Sequence, residues 1–441
     1  MDILTANDVP GAYPDSWYAA SAGEPPTIAS TEGDGRFDVA VVGAGFTGLS
    51  TALHLAEAGR SVVVLDAHRV GWGASGRNGG QVGSGMRCDQ DDLEAWLGVE
   101  HARALWDIGE AAKQRVQALI QDHGIACDYT PGIYYTQLRA DGVPAVHAYV
   151  DKLRKDYRYD TVETVEPTAS HTWVDSPRYA GGYVDWGAGH LHPLKFAFGL
   201  ARAALAAGVT VRERTRVQSI DRRDGGVRVR TATGTVQARH LVLACNGYLG
   251  ELDRRVSARV MPINNFIAAT EPLSDADAAA LINRRVAVAD SKFVINYFRL
   301  SADNRLLFGG GENYSYRFPA DIAAFVRRPM REIFPQLEDR RIDYAWGGTL
   351  GITVRRMPYF ACRDDTVYTA GGYSGHGVAL ATLSGQLIAD AIGGDAERFN
   401  ALARVPSLPF PGGSRLRWPL LVAAMTWYSL RDRVATWGGR A

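Results

Sequence analysis

The sequence predicts an α/β protein with a doubly wound parallel sheet and a discontinuous second domain of the α+β type, built on a mixed or antiparallel sheet. Three observations predict this class. Strand, helix and strand patterns follow one another at 37–42, 47–58 and 61–65. A glycine-rich turn joins the first strand to the helix, and hairpin patterns dominate 260–310. Because parallel strands need a crossover connection, the βαβ unit indicates a parallel sheet with right-handed connections.

Each element follows from a residue pattern. The segment 37–42 is a valine-rich run of strand length, and 61–65 is a second such run. The segment 47–58 carries Leu49, Leu53 and Ala56 at helical spacing and is followed by Gly59, which suits a helix C-terminus. We expect further helices near 91–122, 194–207 and from Val378, a hairpin at 225–236, and further strands near 209–211, 216–220, 240–244, 263–270, 293–300 and 305–308.

Composition limits the kinds of partner. The 48 Lys+Arg residues balance the 48 Asp+Glu residues, so the chain lacks the basic excess typical of nucleic-acid binding and we expect a small-molecule ligand. Four scattered cysteines without metal-ligand spacing predict a reduced compartment and no metal site. The first residues lack a signal-peptide pattern and no apolar run approaches the roughly 20 residues of a membrane span, so the expected location is cytoplasmic.

A dinucleotide fingerprint occupies the first strand–helix turn. Gly43, Gly45 and Gly48 have the G-x-G-x-x-G spacing, which lets backbone N–H groups approach a pyrophosphate at the helix N-terminus. Asp66 ends the next strand, where an acidic side chain accepts hydrogen bonds from ribose hydroxyls. The expected contacts with this half of the cofactor are Gly43, Gly45, Phe46, Thr47, Gly48, Asp66 and Ala67.

A glycine-dense segment, 71–81, follows the ribose-binding strand and favours FAD, because it suits a loop running along the pyrophosphate and a tricyclic ring. Ser75, Arg77 and Asn78 would donate hydrogen bonds to phosphate or ring carbonyls. Gly79 and Gly80 would let the chain pass the edge of the ring. The expected contacts are Ala74, Ser75, Arg77, Asn78, Gly79, Gly80 and Gln81.

Two later segments are expected to return to the cofactor. The first, 244–247, ends a strand, and the second, 370–377, precedes an apolar helix. The positive end of that helix, aimed at the N1–C2=O edge of a flavin, would stabilise negative charge that develops on reduction. His376 has either this role or a structural one. The expected contacts are Val217, Asn246, Gly247, Gly372, Gly375, His376 and Gly377.

These motifs resemble the D-amino-acid oxidase superfamily of FAD-dependent amine oxidoreductases, in the fingerprint with Asp66 and in the segments 73–81 and 372–377. Within it, nearly the whole chain resembles the γ-glutamylputrescine oxidoreductases. The resemblance implies non-covalent FAD, hydride transfer from the carbon next to an amine nitrogen to flavin N5, and imine hydrolysis to an aldehyde. The implied substrate is γ-glutamylputrescine or a related polyamine derivative, and the electrons pass to oxygen or another acceptor. The chain has one dinucleotide fingerprint and lacks a second one for a pyridine nucleotide. This indicates that the electrons come directly from the substrate.

The chain departs from the superfamily pattern at two positions. Leu350 stands where amino-acid oxidases have an arginine that clamps the substrate carboxylate, in register with Trp346. Burying that anion without a partner would be costly, so the expected substrate has no α-carboxylate beside the reacting carbon. Ala379 stands where sarcosine-oxidase relatives have a lysine, which leaves reactivity with oxygen open.

The substrate-site predictions are Trp346, Tyr297 and Arg355, and Tyr373 is a further candidate wall. Arg299, Arg355 or Arg356 would bind a remote carboxylate such as a glutamyl group. The expected domains are an N-terminal arm at 1–35, an FAD-binding domain at 36–90, 180–258 and 345–400, a substrate domain at 91–179 and 259–344, and a C-terminal tail at 401–441.

Three alternatives stay open on the sequence alone. The first is a D-amino-acid oxidase or dehydrogenase. The second is a secondary-amino-acid (sarcosine- or glycine-type) oxidase or dehydrogenase, and the third is a scaffold or sensor that binds FAD without turnover. A dehydrogenase that reduces a membrane quinone would use the apolar, arginine-flanked segment 415–431 to rest on a bilayer, although packing on its own protein is the more common use of such a segment. The oligomeric state is also left open.

Overall fold

A computed structural model describes residues 2–29, 32–223, 225–292, 294–313 and 315–413. The segment 415–431 therefore lies outside the described residues. Within them, the strands form two sheets, and the helices pack mainly on the first. The helices are α1 (Trp17–Ser21), α2 (Phe46–Glu57), α3 (Gln90–Leu97), α4 (Val99–Asp122), α5 (Val143–Tyr157), α6 (Pro193–Ala206), α7 (Arg254–Ser257), α8 (Asp275–Leu281), α9 (Ile322–Ile333), α10 (Gly377–Gly393) and α11 (Glu397–Ala403).

The first sheet contains the predicted βαβ unit. Its strands are β1 (Gly35–Val42), β2 (Val62–Leu65), β7 (Thr210–Arg212), β8 (Ser219–Arg223), β9 (Gly226–Arg230), β10 (Thr235–Leu243), β16 (Tyr359–Arg363) and β17 (Val367–Gly371). The order is β16-β17-β10-β1-β2-β7. From β17 to β7 the neighbours run parallel, whereas β16 at the edge and the β8–β9 hairpin pair antiparallel. The parallel strands are apolar on both faces because helices cover the sheet.

The second sheet is mostly antiparallel. Its strands are β3 (Gln81–Val82), β4 (Thr130–Thr136), β5 (Val162–Val165), β6 (Gly182–His190), β11 (Met261–Thr270), β12 (Ala287–Asp290), β13 (Tyr297–Leu300), β14 (Leu306–Asn313) and β15 (Ile342–Ile352). The order is β15-β11-β14-β13-β12-β4-β6-β3, and β5 pairs with β6. Only the β12–β4 pair, among the described strands of this sheet, is parallel. The predicted α/β class with a second, mixed sheet is confirmed.

The strand pairing can be compared with the expected domain ranges. The strand β6 and residues 345–352 of β15 lie in ranges expected for the FAD-binding domain, yet both strands pair in the second sheet, as does β3. If sheet membership defines the domains, 182–190 and 345–352 belong to the substrate domain. The residue pattern of each strand fits either sheet, because its partners lie far away in sequence.

The predicted helix at 91–122 is two helices. Gly98 has φ +85°, a left-handed conformation that glycine adopts without strain, and its N–H donates to the Glu94 carbonyl to end α3. The next helix, α4, begins at Val99. No single helix of the described residues is long and apolar enough to cross a membrane, and one pair, α10 with α11, meets that length and composition test only across a bend of 118°.

The N-terminal arm ties the two sheets together. His68 Nε2 donates to the Leu4 carbonyl at 2.7 Å, and His68 Nδ1 accepts from Gly11 N–H at 3.1 Å. Asn7 contacts the loop that follows β14 of the second sheet: its Nδ2 donates to the Tyr316 carbonyl and its Oδ1 accepts from Phe318 N–H, both at 2.8 Å. The arm therefore closes over the region between the sheets.

Candidate active site

A cavity of about 1910 Å³ lies between the two sheets and is lined by residues of both. A site for one drug-sized ligand has about 300–1,000 Å³, so this cavity has room for a dinucleotide and a substrate together. The first sheet contributes the carboxyl ends of β1, β2 and β10. Ligands of open α/β sheets bind outside the carboxyl ends of parallel strands.

The turn between β1 and α2 has the geometry of a phosphate site. Gly43 has φ +108°, and a Cβ there would lie 2.8 Å from the Ala244 carbonyl oxygen. A Cβ on Gly45 would lie 2.8 Å from Ser75 Oγ, so the second glycine keeps the approach to the helix open. Gly45 is the N-cap residue of α2 and provides no side-chain cap. The positive end of α2 therefore faces the cavity.

Asp66 stands at the end of β2 beside that turn. Its carboxylate accepts from Ala44 N–H and from His68 N–H, both at 2.7 Å. Burial raises the pKa of Asp66, and the two N–H donors oppose that shift. Thr215 N–H donates to the Asp66 carbonyl, which brings the loop with Val217 to the same end of the cavity. A carboxylate held in this way can accept hydrogen bonds from ribose hydroxyls.

The loop at 73–81 is fixed by its own polar side chains. Ser75 Oγ accepts from Phe46 N–H at 3.0 Å and so joins the loop to α2. Asn78 Nδ2 donates to the Ala74 and Ser75 carbonyls, and its Oδ1 accepts from Gly80 N–H at 2.7 Å. These bonds organise the loop. The Asn78 Nδ2 group is occupied by these carbonyls, whereas the Ser75 hydroxyl accepts here and keeps its own proton to donate. Both residues line the cavity, and their hydrogen bonds to the cofactor stay a prediction.

Arg77 has structural contacts in addition to its place in the cavity wall. Its guanidinium pairs with Asp8 at 3.1 Å, donates to the Trp72 and Gly347 carbonyls, and lies 4.4 Å from the Trp72 ring. These contacts hold the loop between the N-terminal arm and the second sheet, because three sides of the guanidinium already face protein. Only Nη2 is left without a partner in the described structure.

The second helix N-terminus in the cavity belongs to α10. Gly375, His376 and Gly377 line the cavity where this helix begins, and its N-cap residue, His376, makes no side-chain cap hydrogen bond. Asn246 positions the preceding turn: it has φ +46° and its Oδ1 accepts from Gly372 N–H at 2.8 Å. Thus α2 and α10 both direct positive helix ends into the cavity.

Four buried polar atoms of cavity-lining residues have no hydrogen-bond partner in the described structure. They are Trp72 Nε1, Arg77 Nη2, Gln90 Oε1 and His376 Nε2. Burial, followed by the Arg87 charge, lowers the pKa of His376 to about 4, so its imidazole is neutral at pH 7. Buried polar groups are nearly always satisfied in complete sites. These atoms, the two helix ends and Asp66 together fit a ligand with phosphates, ribose hydroxyls and ring heteroatoms, as FAD has.

Most of the sequence-predicted cofactor residues meet at this cavity. The predicted residues that line it are Gly43, Gly45, Phe46, Thr47, Asp66, Ala67, Ala74, Ser75, Arg77, Asn78, Gly79, Gln81, Val217, Asn246, Gly247, Gly375, His376 and Gly377. Gly48, Gly80 and Gly372 do not line it. A Cβ on Gly48 would lie 1.8 Å from the Gly43 oxygen and one on Gly80 would lie 2.0 Å from the Leu191 oxygen, so these glycines allow close backbone packing behind the wall.

Two of the three residues predicted for the substrate site, Trp346 and Arg355, do not line the cavity. Trp346 is buried in the core, where its Nε1 donates to the Arg77 carbonyl at 3.0 Å. Arg355 lies over the Trp96 ring at 4.3 Å and is not part of the cavity wall, whereas its neighbour Arg356 is. Arg299, another candidate for a remote carboxylate, is buried and donates to backbone carbonyls behind the wall.

Tyr297 does line the cavity. Its hydroxyl donates to Asn265 Oδ1, and its ring lies against two glycines. A Cβ on Gly79 would come within 2.7 Å of the ring and one on Gly309 within 2.1 Å. Leu350 is part of the same cavity wall. This end of the cavity therefore combines a fixed aromatic ring with an apolar side chain at the position of the absent arginine.

The sequence analysis missed another group of polar residues in the cavity. They are Arg87, Asp89, Tyr135, Tyr149 and Tyr183. Arg87 and Asp89 come soon after the glycine-dense segment, which was a usable signal for both. The tyrosines depend on the register of β4 and β6 and on the docking of α5, for which the sequence gives no signal.

The sequence pattern of the family described as FAD dependent oxidoreductase (DAO) matches residues 38–391 of the chain. The chain belongs to this family. This FAD-dependent oxidoreductase uses FAD as its cofactor, and the resemblance to the D-amino-acid oxidase superfamily is confirmed. The match begins within β1 and ends within α10, so it includes both helix N-termini that face the cavity.

Individual relatives of this FAD-dependent oxidoreductase cover nearly its whole length. It is 41% identical over 420 residues to the probable oxidoreductase OrdL of Rhizobium meliloti, over 95% of this chain and 97% of the relative. It is 40% identical over 420 residues to the gamma-glutamylputrescine oxidoreductase of Escherichia coli, over 95% and 98%. The fold is similar to the crystal structure of glycine oxidase from Geobacillus kaustophilus, with a TM-score of 0.67 and 22% identity over 82% of this chain and 95% of that one.

Proposed function

We propose that this FAD-dependent oxidoreductase oxidises the terminal primary amine of a γ-glutamylated diamine, with γ-glutamylputrescine as the first candidate. The observation that carries the proposal is Leu350 in the cavity wall. An α-amino acid bound with its carboxylate at this position would lose its solvation there and meet a leucine side chain, at a cost of several kcal/mol. A primary amine on an alkyl chain suits the apolar wall. The 40% identity to a gamma-glutamylputrescine oxidoreductase supports the same substrate.

We propose that FAD is held by the two helix N-termini, by Asp66 and by the loop at 73–81, with the cavity-lining residues named above. When bound, FAD supplies the electron acceptor that takes a hydride from the carbon next to the substrate nitrogen. The chain's own contribution is to position that carbon and to exclude water. Tyr297, wedged against Gly79 and Gly309, fixes one wall, and its bond to Asn265 prevents ring rotation.

The substrate nitrogen must be neutral so that its lone pair assists departure of the hydride. Burial disfavours the ammonium form, because desolvation lowers the pKa of a cationic amine. Among the described lining residues from β11, β13 and β15, none is acidic, so these strands offer no carboxylate to reverse this effect. The nitrogen is therefore expected to lose its proton to solvent on binding, and the product imine then hydrolyses to an aldehyde.

Anaerobic mixing of the holoenzyme with a panel of amines tests this proposal. The panel contains γ-glutamylputrescine, putrescine, glycine, sarcosine and a D-amino acid, and the measurement is the bleaching of the flavin absorption band. We expect γ-glutamylputrescine to give the highest kred/Kd. Preference for an α-amino acid would replace this proposal with the amino-acid oxidase alternative, and a flavin that no substrate bleaches would favour the scaffold alternative.

A further inference from the structure

A row of tyrosines crosses the cavity face of the second sheet. Ala289 on β12 pairs with Tyr297 on one side and with Tyr135 on the other, and Tyr135 pairs with Tyr183 on β6. Residues paired in this way share one face of a sheet. Neighbouring strands are about 4.7–4.9 Å apart, so Tyr183 lies about 14–15 Å from Tyr297 along the row. The small side chain of Ala289 leaves a groove between the tyrosines, and Tyr135 and Tyr183 stack with ring centroids 5.0 Å apart.

Arg87 stands at the far end of this row. It lines the cavity, is only partly exposed, and has no hydrogen bond or salt bridge with any residue that the structure describes. Arg356 lines the same cavity, and burial, followed by the Arg356 charge, lowers the pKa of Arg87. An anion bound at Arg87 would be stabilised by both positive charges.

Asp89 provides a negative charge next to this positive pair. It is the N-cap residue of α3 but makes no side-chain cap hydrogen bond, and its carboxylate forms no salt bridge with a described residue. Burial, followed by Asp92, raises the pKa of Asp89, and Arg87 lowers it. Asp89 therefore lies within electrostatic reach of Arg87 without being bound to it.

Asp89 is an exposed residue of the cavity wall, and tyrosine rings lie near it. Tyr149 on α5 accepts a hydrogen bond from Gln90 N–H at 3.3 Å, which holds the ring next to Asp89. Burial and then the Asp89 charge raise the pKa of Tyr149, and Tyr183 also lies in the field of this carboxylate. Rings beside a carboxylate are a favourable environment for an ammonium group, which gains both ionic and cation–π attraction.

We propose that Arg87, Asp89, Tyr135, Tyr149, Tyr183 and Arg356 form a subsite for the α-amino-acid head of the γ-glutamyl group. This head-group subsite rests on the proposed function and assigns its specificity. The α-carboxylate binds Arg87 with Arg356 nearby, and the α-ammonium binds Asp89 against the tyrosine rings. A zwitterion matches a site in which unpaired charges of both signs stand side by side.

The length of the substrate agrees with the length of the row. Nine bonds separate the reacting carbon of γ-glutamylputrescine from its α-carboxyl carbon. By the reach of an extended peptide, which advances about 3.3–3.6 Å per three backbone bonds, this chain spans about 10–11 Å. Two strand spacings carry the row from Tyr297 to Tyr135 over about 9–10 Å. A substrate extended along the groove over Ala289 thus places its head group past Tyr135, beside Arg87.

A free diamine would be a poorer ligand for this subsite. It has no carboxylate for Arg87, and in putrescine only four bonds separate the reacting carbon from the second nitrogen. At about 3.3–3.6 Å per three bonds, that ammonium extends about 4–5 Å along the groove and does not reach Asp89. The head-group subsite therefore explains how the enzyme distinguishes a γ-glutamylated diamine from the diamine itself.

The first experiment measures a selectivity ratio, kcat/KM for γ-glutamylputrescine divided by kcat/KM for putrescine. For Arg87→Gln we expect this ratio to fall about 10- to 100-fold, as loss of a charge-assisted hydrogen bond implies, through KM for the γ-glutamyl substrate. Arg139→Gln is the matched control, because Arg139 is an arginine with 80% side-chain exposure outside the cavity. An unchanged ratio in Arg87→Gln with wild-type FAD content would overturn the subsite.

The second experiment uses the wild-type holoenzyme and substrate analogues, so it does not depend on a variant that folds. Glutarylputrescine lacks the α-ammonium, and 4-aminobutyrylputrescine lacks the α-carboxylate. Each should have a KM at least about tenfold above that of γ-glutamylputrescine, one unit of charge being lost in each case. Equal KM values for all three refute the head-group subsite but leave the proposed function intact. No turnover of any γ-glutamyl amine refutes the proposed function itself.

Discussion

Asp66→Ala tests whether the buried carboxylate at the end of β2 holds the cofactor. The carboxylate accepts two backbone N–H groups at 2.7 Å and faces the cavity. A hydrogen bond from a ribose hydroxyl to a charged acceptor contributes about 1.5–3 kcal/mol, so its loss should raise the Kd for FAD about 10- to 150-fold. The alanine also leaves the Ala44 and His68 donors without their acceptor, and each such group costs about 1–3 kcal/mol of stability when buried.

The assay is titration of apoprotein with FAD, followed by quenching of flavin fluorescence. Asp38→Ala is the matched control: Asp38 accepts from Ser61 N–H and Ser61 Oγ, also on the first sheet, but does not line the cavity. The control should lose stability without losing affinity for FAD. A Kd for Asp66→Ala within threefold of the wild-type value would refute the ribose role, whatever the change in stability.

Three further results are expected. Leu350→Arg should shift preference toward α-amino acids by at least tenfold in kcat/KM, and an unchanged panel would show that this position does not face the reacting carbon. Gly79→Ala places a Cβ within 2.7 Å of the Tyr297 ring, so KM should rise several-fold, and structural displacement of the ring is checked by crystallography. Burial lowers the pKa of His192 to about 2. Below about pH 6.5 the unfolded chain therefore binds a proton that the folded chain excludes, and the free energy of unfolding decreases as the pH falls. His192→Asn, which still offers an N-cap acceptor, should reduce that slope by about 1.4 kcal/mol per pH unit in urea unfolding at pH 4–6, whereas a change of the exposed His171 to Gln should not.

Local patterns predicted the cofactor half of the molecule. The glycine fingerprint, α2 and Asp66 lie within one continuous segment, and the backbone requirements of a phosphate turn fix which residues can stand there. The prediction of FAD also used a continuous segment, 71–81. For these parts, the residues that bind one another are close in sequence.

The substrate half depended on pairing between distant strands. Trp346 lies on the same face of β15 as Leu350, four residues away, but its ring packs against Tyr18 in the core and does not reach the cavity wall. The expected arginine at 355 and the cavity-facing one at 356 differ by a single position. The conformation of the loop after β15 determines which of the two arginines faces the cavity, and no residue pattern in that loop predicts this conformation.

The hydrogen bonds of Asn7 with the loop at 316–318 join two segments that are synthesised far apart in time. Asn7 leaves the ribosome well before its partner Phe318, which follows 311 positions later. At about 5–20 residues per second, this interval is about 15–60 s. Until then the arm is held by other contacts, such as those with His68, Arg77 and Val70. If a nascent chain binds FAD early, the arm does not yet have its hydrogen bonds to 316–318. Tight retention of the cofactor is therefore expected only late in synthesis.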